Sequence, residues 1–97
     1  MTKEQRRATR NALAHYGQRG YRRSRSGLGW SLAIEQAQKY YQATDPKRAD
    51  LLQIQYFEHR TALDTAERLC MSFSTYQKAH TDVLSTIAVY AAHNGVL

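Results

Sequence analysis

Apolar side chains recur along this chain at intervals of three and four, and no stretch alternates apolar with polar. The pattern therefore predicts helices and no half-buried strands. Trp30, Ala33, Ile34, Ala37 and Tyr41 form one apolar face, which predicts a helix capped by Ser31 and running to about Ala43. Thr44-Asp45-Pro46 ends that helix and opens another, because Asp45 accepts from free amides and Pro46 suits a first helical position. This third segment runs to about Glu58, with Ala49, Leu52 and Tyr56 on one face, widened by Leu51, Ile54 and Phe57. Thr61 caps a short helix holding Ala62, Ala66 and Leu69. Ser72 caps a long one, along which Tyr76, His80, Val83, Ile87 and Tyr90 share a face with Leu84 and Ala91. Asn94-Gly95 supplies its stop.

The first thirty residues read differently. Thr2-Lys3-Glu4-Gln5 matches a capping box and predicts a helix to about His15, with Ala8, Ala12, Leu13 and Tyr16 as a weak stripe. Gly17, Gly20, Gly27 and Gly29 then fall among arginines and serines. Each glycine costs a helix about 1 kcal/mol relative to Ala, so a flexible connector is expected there. The expected fold is all-α. A small helical domain, residues 30–97, carries a C-terminal helix-turn-helix and a long last helix. Before it stands a flexible basic arm, residues 1–29, partly helical and then Gly/Arg-rich.

Composition narrows the class. The chain has 97 residues, enough for one modest core. Its longest apolar run, Ile87 to Ala92, falls far short of the ~20 residues of a membrane span. No apolar segment follows the charged N-terminus, so no secretory signal is expected. Cys70 is the single cysteine, which fits a reducing compartment and reads as a small buried residue between Leu69 and Met71. The expected location is the cytoplasm.

Charge adds the most. Of a net +6, residues 1–25 hold eight bases (Lys3, Arg6, Arg7, Arg10, Arg19, Arg22, Arg23 and Arg25) against one acid, Glu4. The remainder is close to neutral. Such asymmetry suggests a polyanionic partner, since each cation docked on a phosphate releases a counterion. Arginine strengthens the reading, because its fork meets phosphate oxygens in pairs. Tyr16, Tyr21 and Trp30 flank or interrupt these arginines. They either stack on unpaired bases or anchor the ends of the arm to the body.

The short helix, tight turn and long helix form a helix-turn-helix pattern. Ala66 is small where two helices approach closely, Leu69 and Met71 fill the space under the turn, and Tyr76 and Ala79 face the core. Phe73, Ser74, Gln77, Lys78 and Thr81 remain on the outward face as candidates for base contact in a major groove. Ser72, Thr75 and the arginines Arg6, Arg7, Arg10, Arg19, Arg22, Arg23 and Arg25 are the candidates for phosphate contact.

Three stretches carry a resemblance: Leu51-Leu52-x-x-x-Tyr56-Phe57, Ala66-Glu67-Arg68-Leu69-x-Met71-Ser72-x-Ser74-Thr75-Tyr76, and Leu84-x-x-Ile87-Ala88. Together they resemble the region-four helix-turn-helix of sigma factors. They are more similar still to phage late-gene transcriptional regulators of the ArpU/RinA-like group, whose Ser-x-x-Thr-Tyr and later Ile-Ala match Ser72, Thr75-Tyr76 and Ile87-Ala88. The resemblance covers about residues 39–93. It implies an all-α DNA-binding protein that activates a phage or prophage late operon with host RNA polymerase, in the cytoplasm of a bacterial host and associated with the nucleoid. The capped helix-turn-helix and the separate basic arm make sequence-specific binding of double-stranded DNA the leading expectation. This chain departs from the pattern at Cys70, where glycine is usual, and at Phe73, where a polar or basic residue is common. Lys78 is the one firm cation of the second helix, where relatives often have several.

Other chemistry lacks its signature. His15, His59, His80 and His93 have no metal-ligand spacing, and no cysteine pair accompanies them. His80 falls on the apolar face of the last helix, as a core or groove histidine. Asp64 and Glu67 share a helix face and read as solvated charge. No catalytic residue, metal or cofactor is therefore expected. Three alternative roles stay open. One is an interaction protein that binds RNA polymerase or another phage protein, with Phe73, Val96 and Leu97 as exposed anchors. The others are a small phage DNA-packaging adaptor and an RNA binder led by the arm. The stripe of the last helix either makes a homodimer or packs on the Trp30–Tyr41 helix within one chain.

Overall fold

The computed structural model describes residues 1–97 as five α-helices without strands. Helix α1 spans Lys3–His15, a 3-10 turn Tyr21–Arg23, α2 Arg25–Thr44 and α3 Pro46–Leu52. A π turn, Gln53–Phe57, extends α3, and α4 (Ala62–Arg68) and α5 (Phe73–His93) complete the chain. The all-α expectation holds, and so does the long last helix.

Four of the five helices start at the cap expected from the sequence. Thr2 and Gln5 close a reciprocal capping box on α1. Asp45 accepts from the Arg48 amide ahead of Pro46, and Thr61 accepts from the Asp64 amide. Ser72 accepts from the Thr75 amide, and Gly95, with φ +77°, turns the chain after α5.

The second helix corrects the sequence reading. It begins at Arg25, with Ser24 as the cap that accepts from the Gly27 amide. Ser31 caps nothing; it lies wholly buried inside α2. Gly27 and Gly29 thus belong to a helix, where they serve close approach. A Cβ on Gly27 would stand 1.7 Å from the Tyr21 carbonyl oxygen, and one on Gly29 would stand 2.5 Å from Val96 Cγ1. The expected division after Gly29 falls inside this helix.

The expected flexible arm is also corrected. Helix α1 packs against α5 and α2, with Thr9, Ala12 and Leu13 buried. Between α1 and α2 the chain runs through consecutive tight turns: the Gln18 amide donates to the His15 carbonyl, Tyr21 to Gln18 and Arg23 to Gly20. Tyr16 stacks on Phe57 (5.0 Å between centroids) and donates to Glu35, while Tyr21 packs on the core and stacks on His15. Trp30 is buried. These three aromatics therefore anchor the segment to the body and are not free to stack on bases.

Helix α2 lies antiparallel to α5. Near one end the Tyr41 hydroxyl donates to the Asp82 carbonyl and lies 2.6 Å from Thr86 Oγ1. At the other, Asn94 donates to the Gly29 carbonyl and to Gln36 Oε1. Between them Ile34, Val83, Leu84, Ile87 and Ala91 are fully buried, with Leu51 and Leu52 from α3. Each such large aliphatic contributes about 1.5–3 kcal/mol relative to exposure. The stripe of α5 is thus covered within one chain by α2, α1 and α3. Val96 packs partly buried against the core beside Gly29, so it is not the exposed anchor expected; Leu97 is 37% exposed. No helix is long and apolar enough to cross a membrane.

Candidate nucleic-acid interface

Helix α4, the turn after it and α5, where the helix-turn-helix is expected, are built from short-range rules. Helix α4 packs on α5 with Ala66 buried where they meet. After Arg68 the chain reverses: the Cys70 amide donates to the Glu67 carbonyl and the Met71 amide to the Ala66 carbonyl, both at 3.0 Å. This reversal places Cys70 in the left-handed region, φ +54°. Cys70 is exposed, which corrects the buried reading: a left-handed residue at the tip of a turn points away from the core. Leu69 is buried and Met71 packs half-buried beneath the turn. Lys47 reaches across from α3 to the Leu69 carbonyl.

Ser72 then starts α5, its hydroxyl donating to Thr75 Oγ1 while accepting from the Thr75 amide. Ser72 and Thr75 are both exposed. Tyr76 and Ala79 turn into the core, and Ser74, Gln77 and Lys78 are left in solvent, with Thr81 half-buried. Ser74, Gln77, Lys78, Thr81 and Asp82 line a shallow concavity of about 340 Å³ on this face. Asp82 is its one acid, and it is bridged by Arg48 at 2.6 Å. Phe73 is 43% exposed and stacks on Tyr76 at 5.5 Å.

The basic residues divide into two groups. Lys3, Arg6, Arg7 and Arg10, spaced three and four apart, lie on one side of α1 and share one surface hollow. The docking of α1 brings two of them to α5. Arg6 and Arg10 line a groove of about 400 Å³ with Gln55, Ala62, Phe73, Tyr76, Gln77, His80 and Thr81. Arg19, Arg22, Arg23 and Arg25 do not line this groove. Arg22 is engaged elsewhere, donating to Glu35 at 2.5 Å; Glu35 also accepts from Tyr16. Burial alone would raise the Glu35 pKa, but the hydrogen bonds from Arg22 and Tyr16 and the charges of Arg22 and Lys39 hold it below the usual value.

The groove floor carries no charge at neutral pH. His80 is buried and hydrogen-bonded through Nε2 to the Tyr56 hydroxyl. Burial, followed by the charges of Arg10 and Arg6, pushes its pKa down to about 4. Tyr56 is pushed up to about 12, chiefly by burial, and Tyr76 is raised for the same reason. Tyr76 donates to Gln55 Oε1 at 2.5 Å. Gln55 and Tyr56 both lie in the π turn, where the Glu58 amide donates five residues back to Gln53. The spacing of Ala49, Leu52 and Tyr56 predicts an ordinary helix here, and neither Gln55 nor Tyr56 is among the expected site residues. The Phe73, Tyr76, His80 spacing on α5 was the available signal for the groove; nothing local pointed to Arg6 and Arg10 as its wall.

Comparison of the chain with family models, curated proteins and solved structures returns no match.

Proposed function

We propose that this protein binds double-stranded DNA in a sequence-dependent way. The first half of α5 enters the major groove with Ser74, Gln77, Lys78 and Thr81, while the α1 stripe rests on neighbouring phosphates. One observation carries this reading: Arg6 and Arg10 stand in the same groove as Gln77 and Thr81. Phosphate-binding and base-reading groups therefore occupy one continuous face, as a duplex requires. Arg6, Arg7 and Arg10 are without an ion-pair partner within 4.0 Å. Their charge is therefore available to phosphate. The similarity of Ser72, Thr75-Tyr76 and Ile87-Ala88 to the phage late-gene regulators supports transcriptional regulation as the use of that binding. Selection from a pool of random duplexes tests the proposal: enrichment of a motif is the expected result, and recovery of unenriched sequence refutes sequence reading.

A second reading, an interaction protein that docks RNA polymerase or another phage protein, is favoured by the exposure of Leu28 and Leu32, one helical turn apart on α2. Co-purification with polymerase in the absence of DNA, lost on changing both leucines to Ser, distinguishes it.

A further inference from the structure

Four flat side chains form a ladder along the groove. Phe73 stacks on Tyr76 (5.5 Å, 27° between planes), Tyr76 on His80 (5.6 Å, 25°) and His80 on Tyr56 (5.9 Å, 25°). Its inner end is closed, with His80 hydrogen-bonded to Tyr56 and both largely covered. Its outer end is Phe73, a residue 43% exposed in the first turn of α5, which borders the groove. An exposed ring already stacked on one side has room for one more planar group on the other. Beside the ladder stand two cations, Arg6 and Arg10, and no acid lines the groove. Gln55, Gln77 and Thr81 add donors and acceptors on the same walls. The volume of about 400 Å³ falls in the range of small-ligand sites.

A planar group that extends a ring stack, joined to an anion within reach of two arginines, describes a nucleotide. We propose that the groove holds one unstacked nucleotide, its base lying on Phe73 and its phosphate on Arg6 and Arg10. This deepens the DNA-binding reading and rests on it. In a regular duplex every base face is occupied by its neighbours, so the base must come from an unpaired position in a strand or from a free nucleotide. The protein therefore grips the major groove with Gln77 and Lys78 and favours duplexes in which an adjacent base is already out of the stack.

Three probes test this with the full chain: a fully paired duplex, the same duplex carrying one extrahelical 2-aminopurine, and free 2-aminopurine deoxyriboside monophosphate. Tighter binding of the bulged duplex by roughly tenfold, with quenching of its fluorophore, is expected from stacking on an aromatic side chain. Phe73→Leu keeps the apolar bulk but removes the ring, and should bring the ratio of the two affinities to one. Circular dichroism checks that the variant is folded, which the exposure of Phe73 favours. Quenching of the free monophosphate, abolished by Phe73→Leu, also supports the pocket and assigns it to a free nucleotide. Equal binding of both duplexes with no quenching of either fluorophore overturns the pocket while leaving the duplex reading intact. No binding to any probe overturns both.

Discussion

The α-carbon of Gly27 faces the backbone carbonyl of Tyr21 so closely that a Cβ there would stand 1.7 Å from that oxygen. This approach seats the 3-10 turn on the first turn of α2, where the Gly27 amide also donates to the Ser24 cap. An alanine gains about 1 kcal/mol of helix propensity but must displace backbone, and overpacking of this kind costs about 1–3 kcal/mol or more. Backbone in consecutive turns yields less than a side chain does. Gly27→Ala is therefore expected to destabilise by about 2 kcal/mol net, read as a lowered urea midpoint with little change in slope.

Gly29 offers the contrasting case. Its missing Cβ would meet Val96 Cγ1 at 2.5 Å, the end of the penultimate residue's side chain. That side chain is half-buried and can rotate about χ1 between staggered positions, which a backbone carbonyl cannot do. The gain of about 1 kcal/mol from replacing a mid-helix glycine then offsets most of the clash. Gly29→Ala is expected to change stability by less than about 1 kcal/mol, so the two substitutions differ clearly in one set of urea titrations.

What was legible in the sequence is what residues three or four apart decide. Thr2 with Gln5, Asp45 with Pro46, Thr61 and Ser72 fixed the starts of α1, α3, α4 and α5, because a cap and the amide it satisfies are close neighbours. The outward face of α5 was legible for the same reason. Gly27 and Gly29 misled, because their partners are Tyr21 in a separate turn and Val96 at the far end of the chain. Composition alone therefore reads as flexibility where there is close packing. With those glycines counted against a helix, Ser31 reads as the first cap after them, whereas the observed cap is Ser24. The seat of α1 was hidden as well: Ala12 and Leu13 are a small apolar patch, and they are covered by α5 and α2, which lie far along the chain. The groove joins residues from α1, the π turn and α5, and no periodicity within one element reports such a meeting.

Cys70 holds φ +54° on an exposed turn. A left-handed conformation costs an L-residue about 1–2 kcal/mol, which glycine escapes. Glycine gives back about 0.4–1 kcal/mol through the greater freedom of its unfolded chain. Cys70→Gly is thus expected to stabilise by roughly 0.5–1 kcal/mol. Cys70→Ala retains the Cβ and should gain nothing. Thermal denaturation of the two variants side by side separates relief of backbone strain from removal of the thiol.

His80 sets a pH window. Its folded pKa is about 4 against an ordinary value of 6.5, with Tyr56 and Tyr76 packed on it and Arg6 and Arg10 facing it from α1. Between these two values the unfolded chain binds more protons than the folded one, so stability falls as pH drops. The full contribution is present above about pH 6.5 and is lost progressively until about pH 4, on the order of 3 kcal/mol in all. Glu35 acts lower: its folded pKa lies below 4.5, so its contribution is present above that value and is lost only as pH falls through the folded one. Urea midpoints measured from pH 7 to pH 4 should decline for the native chain. His80→Phe keeps a ring in the ladder and should flatten that decline, whatever its stability at pH 7.

The two groups of residues on the proposed DNA face should fail in different ways. On the proposed face Arg6 and Arg10 would contact phosphate, which every sequence has, so Arg6→Ala with Arg10→Ala should weaken binding to all duplexes alike. The slope of log affinity against log salt should become shallower by about 1.8, since each lost phosphate contact removes about 0.9. Gln77→Ala removes a side chain able to meet a base edge in two places. It should cost about 1–3 kcal/mol on the selected site and little on unrelated duplexes, with the salt slope unchanged. Deleting residues 1–25 is no substitute for the arginine pair, because it also strips Ala12 and Leu13 from the core. Fluorescence anisotropy on one selected and one scrambled duplex, over a salt series, reads both effects. A salt slope untouched by loss of both arginines would separate α1 from the DNA, and the reading of one continuous face would fall with it.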